Sequence, residues 1–137
     1  MNNVSASDSP PRVALVVFSD RTGIRWMRLL PRGFRHCFVL LPDPSGWLAV
    51  DSLADRVVVS SLDGPALVRL LRAAVRRGDR ILPTAADRRS PRRKRAMRPF
   101  TCVELTLRLL GLQPLFVLTP IGLFRFISRL NESMVDK

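Results

Sequence analysis

Tyrosine is absent from the 137 residues, histidine occurs once and cysteine twice. Each scarcity excludes something. One imidazole and two thiols fall short of the four ligands that a structural zinc site takes. No long apolar run is present either. The stretch from Leu109 to Phe124 is interrupted by Gly111, Gln113, Pro114 and Pro120, and it is shorter than a bilayer span. The opening residues, MNNVSASDSPPR, lack the basic region of a secretory signal, and the apolar run VALVVF that follows is too brief to be its core. A soluble, cytoplasmic protein is therefore the expectation. In that compartment Cys37 and Cys102 are expected as free thiols rather than a disulfide.

Acidic residues are also short: 11 against 23 lysines and arginines, a net charge of +12. The excess is uneven. Residues 88–98, RRSPRRKRAMR, hold six arginines and one lysine with no acid and no aromatic. Without aromatics to stack on bases, sequence-specific nucleic-acid binding is not indicated. Non-specific contact with polyanions is, through Arg88, Arg89, Arg92, Arg93, Lys94 and Arg95 as candidate anion-binding residues. The apolar content, 47%, suffices for one core. We divide the chain into a polar tail, 1–11, and a single domain, 12–137, with 88–98 as a basic loop.

What is present alternates between two periodicities. RVALVVF, FRHCFVLLP, GWLAVDSL and DRVVVSS read as strands, the middle two joined by the turn formers DPSG. The last three with their short joins predict an antiparallel meander. In DGPALVRLLRAAVRRG the spacing of Leu67, Leu70, Leu71 and Ala74 predicts a helix, with Pro65 in its first turn and Gly78 at its end. DRILPT reads as a further short strand. Thr101 and Glu104 form a T-x-x-E capping box that starts a helix ended by Gly111. Thr119 and Pro120 start a terminal amphipathic helix. The fold class predicted is α+β.

If Thr101 is the cap, Cys102 is the first helical residue, beside N–H groups that have no intrahelical acceptor. That setting favours thiolate over thiol. A nucleophilic thiolate also needs a proton-transfer partner, and His36 is the only imidazole available. A hairpin turning at Asp43 to Gly46 pairs residues whose numbers sum to 87 to 89, which sets His36 opposite Asp51 to Leu53. Asp51 is the expected orienting group. Cys37, next to His36, is expected on the other face of the strand, turned away into the core.

The order of GFRHCFVLL, WLAVDSL and FTCVELTLRLLG, histidine strand before cysteine helix, resembles the circularly permuted papain-like cysteine hydrolases, among them relatives of cell-wall peptidases and of the lecithin:retinol acyltransferase type. The resemblance runs loosely over Arg12 to Leu130. It implies a small antiparallel sheet packed against the cysteine helix, with Cys102 as nucleophile, His36 as general base and acid, and Asp51 as orienting residue. It implies no cofactor and no metal, and an acyl substrate that is a small molecule, a peptide or a lipid. A tyrosine that relatives use near the oxyanion has no counterpart here, so backbone N–H groups, that of Cys102 included, would take its place. The alternative is a non-catalytic module of the same fold that binds an anionic partner or surface through its basic loop.

Overall fold

The computed structural model describes residues 12–21, 29–53, 56–86, 101–112, 114 and 116–136. They form five strands and three helices in the order β1 (Arg12–Ser19), β2 (His36–Asp43), β3 (Gly46–Ser52), β4 (Val57–Leu62), α1 (Gly64–Arg77), β5 (Arg80–Ala86), α2 (Cys102–Leu110) and α3 (Pro120–Val135). All strand pairings are antiparallel, in the spatial order β4-β3-β2-β1-β5. The fold is α+β, and β2, β3 and β4 are the expected meander. The two ends of the chain's strand region meet in β1 and β5, where Leu15 faces Pro83.

Alternation along the strands divides the apolar side chains between two cores. Ala14, Val16, Phe18, Cys37, Val39 and Val50 point to one face, where they meet Cys102, Val103, Leu107 and Leu110 of α2 and Leu123 and Ile127 of α3. Val17, Phe38 and Leu40 point to the other, which α1 covers with Ala74, Leu67, Leu70 and Leu71. The sheet is thus sandwiched between α1 and the α2–α3 pair.

Local chemistry defines the helix ends. The Asp63 carboxylate accepts from the Ala66 N–H at 2.7 Å and caps α1, and Gly78 closes it with φ of 80°. Thr101 Oγ1 accepts from the Glu104 N–H at 3.2 Å, and Gly111 closes α2 with φ of 70°. Thr119 Oγ1 accepts from the Gly122 N–H at 3.2 Å, with Pro120 following it as expected. The β2–β3 hairpin turns on Pro44 and Ser45, with Asp43 facing Gly46. Gly46 is needed there twice over: its φ is 144°, and a Cβ would lie 2.5 Å from the Leu62 carbonyl oxygen.

The tail 1–11, Trp26 and the basic residues Arg88, Arg89, Arg92, Arg93, Lys94 and Arg95 lie outside the described residues. Among those described, no helix is long and apolar enough to cross a membrane.

Candidate active site

His36 opens β2, and the approach to it is held from several sides. The Gly33 N–H donates to the Asp20 carboxylate, the Phe34 N–H to the Pro31 carbonyl at 3.1 Å, and the Arg35 N–H to the Ser19 carbonyl at 3.0 Å. Phe34 also sits in an aromatic cluster, its ring centroid 5.9 Å from Phe18 and 5.0 Å from Phe124 of α3. These contacts tie the residues before β2 to β1 and α3, which limits where the imidazole can point.

The hairpin register places Val39 opposite Val50, so continuing the ladder sets His36 opposite Leu53 and diagonal to Asp51 on the same face. A diagonal neighbour is within reach of a long side chain. His36 Nε2 lies 2.5 Å from Asp51 Oδ1. Cys102 lies close enough to the same imidazole for each group to shift the other's proton affinity. Residues from two strands and a helix, spread over more than sixty positions of sequence, are gathered around one ring.

Cys37 is a buried free thiol in the core, as expected, and the cluster it joins also holds Cys102. Alternation puts Cys37 on the α2 face of the sheet, where α2 packs against β2. Cys37 Sγ therefore lies 3.8 Å from Thr106 Oγ1, in the same buried cluster as Cys102. The helix that bears Cys102 packs on that face.

This arrangement separates the proton affinities of the three groups. The Cys102 thiol is lowered from 9.0 to about 5, first by the hydrogen bond from Cys37; burial opposes this, while the hydrogen bond and charge of His36 and the backbone N–H of Cys37 reinforce it. For His36, burial by itself would lower the pKa; hydrogen bonds with Asp51 and Cys102, and their charges, outweigh it and raise the value from 6.5 to about 9. Cys37 is pushed well above an ordinary thiol by its hydrogen bond to Cys102 and by burial, so it keeps its proton and acts as donor. At neutral pH the pair is Cys102 thiolate and His36 imidazolium.

Glu104, in the first turn of α2, is buried and accepts from Arg108 Nε at 3.1 Å one turn along the helix. The side of the capping box contributed by Thr101 is present as described above. Opposite His36 across the β1–β2 ladder, the buried Ser19 hydroxyl has no hydrogen-bond partner among the described residues, and neither has Arg35 Nε, which is 4.0 Å from Asp20 Oδ1. Among the described residues no group of three or more histidine, cysteine, aspartate or glutamate side chains is arranged to hold a metal ion.

Sequence reasoning missed the roles of Cys37 and Thr106. Period-2 alternation shows which face Cys37 occupies, but only the packing of α2 shows what else is there. No family model matches the chain, and no curated protein or solved structure matches it.

Proposed function

We propose that the chain is a cysteine hydrolase or acyltransferase of the permuted papain-like kind, acting on an amide, ester or thioester. The observation that carries this reading is the Asp51 carboxylate 2.5 Å from His36 Nε2, beside a Cys102 thiol whose proton affinity His36 helps to lower. A buried ion pair of that kind is costly to assemble for stability alone, whereas a thiolate beside an imidazolium is the reactant state that acyl transfer needs.

The thiolate of Cys102 attacks the carbonyl carbon, and the oxygen takes up negative charge. The Cys102 N–H, first in its helix and without an intrahelical acceptor, lies at the positive end of α2 and stabilises that oxyanion. The tetrahedral species collapses as His36 gives its proton to the leaving nitrogen, oxygen or sulfur. Cys102 is then an acyl-enzyme. Neutral His36 next takes a proton from water, or from another acceptor, which attacks the acyl carbon and releases Cys102 as thiolate. Asp51 holds the ring throughout and stabilises its charged form.

A panel of activated amide and ester probes, followed by peptide mass spectrometry, tests the reading. We expect an acyl adduct on Cys102 in the wild-type chain and none in Cys102→Ala. A chain that forms no adduct with any probe, and whose Cys102→Ala variant keeps its partner binding while charge reversal in 88–98 removes it, is instead the non-catalytic module.

A further inference from the structure

The acyl-transfer chemistry leaves one nucleophilic group at the site unused, the Cys37 thiol. Its position is specific. Cys102 and Thr106 are one helical turn apart and so share a face of α2, and Cys37 Sγ lies 3.8 Å from Thr106 Oγ1 beneath that face. Cys37 and Cys102 belong to the same buried cluster, and both are free thiols.

The geometry points to a site of oxidative modification: a hydroperoxide converts Cys102 to a sulfenic acid, and Cys37 resolves it to a Cys37–Cys102 disulfide. This goes beyond acyl transfer and uses the same thiolate for different chemistry. In the first step the Cys102 thiolate attacks one peroxide oxygen. The S–O bond forms, the O–O bond breaks, sulfur is oxidised, and the peroxide is reduced to an alkoxide or hydroxide that takes the His36 proton. In the second step the Cys37 sulfur attacks the Cys102 sulfur. The S–S bond forms, the S–O bond breaks, and the departing hydroxide leaves as water with the Cys37 proton. Two thiols and one hydroperoxide become one disulfide, one alcohol (or water) and one water.

Both sulfurs are suited to their parts. Cys102 is the one held as thiolate, and thiolate character governs attack on peroxide. It is also the more exposed of the two, at 9% against 1%. Cys37 keeps its proton until the sulfenic acid forms next to it, and its burial shields it from direct oxidation. A disulfide between them requires the sulfurs to meet at ~2.05 Å with the Cα atoms within about 7 Å, which suits two side chains of one buried cluster. The disulfide removes the nucleophile and is restored by a thiol reductant; without Cys37 nothing intercepts the sulfenic acid before it is oxidised further.

The test treats the full chain with a small excess of hydrogen peroxide near neutral pH and reads intact mass and non-reducing peptide maps. We expect a loss of about 2 Da, a single linked peptide joining Cys37 to Cys102, loss of iodoacetamide labelling at both cysteines, and full return after dithiothreitol. In Cys37→Ser the same treatment should leave Cys102 as sulfenic acid that a dimedone probe traps, passing on to the sulfinic acid. The proposal is overturned if wild-type protein accumulates sulfenic or sulfinic acid on Cys102 without the linked peptide, or if the only disulfide joins Cys102 of two molecules. The wild-type map decides this whether or not the Cys37→Ser variant folds, and it is independent of any acyl probe.

Discussion

At the scale of single residues, the site is a set of proton affinities separated by contact. Cys102, lowered to about 5, and His36, raised to about 9, define the pH window in which thiolate and imidazolium coexist. Below that window Cys102 is protonated, and above it His36 has lost its proton. Acyl transfer should therefore follow a bell with limbs near those two values, each limb belonging to the coupled pair rather than to one group. Asp51 raises His36 by its hydrogen bond and charge, so Asp51→Asn should draw the alkaline limb toward neutrality and leave the acid limb in place. His36 lowers Cys102, so His36→Ala should move iodoacetamide labelling of Cys102 to higher pH. Labelling that follows an ordinary thiol curve in both proteins would remove Cys102 as nucleophile. Cys37 should remain unlabelled in the native protein across the same range, because it is buried and holds its proton.

The elements differ in how they are finished. The edge strand β5 is protected: Pro83 has no N–H to offer, and its carbonyl accepts from Asn131 Nδ2 of α3 at 2.9 Å. The other edge, β4, presents exposed Val57, Val58 and Val59 with no charge among residues 57–62. Of the three helix starts, that of α2 bears on chemistry as well as stability, since the Thr101 cap sets the first turn in which Cys102 sits. Thr101→Ala should cost about 1 kcal/mol in urea unfolding. It should also lower acyl-probe reactivity at Cys102 more than Thr119→Ala does, although both remove one cap from one helix. Equal reactivity in the two variants would mean that the α2 cap has no part in holding the nucleophile.

For the whole molecule, the sheet carries two separate cores, and the site lies at the start of β2 on the margin of the one that α2 and α3 cover. Charge is the other molecular-scale property. A net charge of +12, concentrated at 88–98, predicts binding to polyanions that is governed by counterion release. Affinity for heparin or polyphosphate should fall steeply and linearly on a log–log plot against salt. Replacing Arg92, Arg93, Lys94 and Arg95 with glutamate should flatten that slope. Tight binding that survives high salt would instead require a specific site.

The sequence by itself determined what is decided within a turn of helix or a tight loop. Thr101, Thr119, Pro65, Gly78 and Gly111 mark helix ends because each acts on backbone groups three or four residues away, and the DPSG turn sets the β2–β3 register because only two residues separate the strands. His36 and Asp51 lie in that one hairpin, so their proximity was legible from its length. The position of Cys102 is not legible in that way, because no local rule says where a helix more than sixty residues later will dock. The pairing of β1 with β5 was equally hidden, since it depends on the total apolar surface buried when the sheet closes over both cores. Cys37 shows the difference most directly. Alternation states which way its side chain points, but what it meets there, Thr106 and the buried cluster that holds Cys102, only the packing of α2 decides.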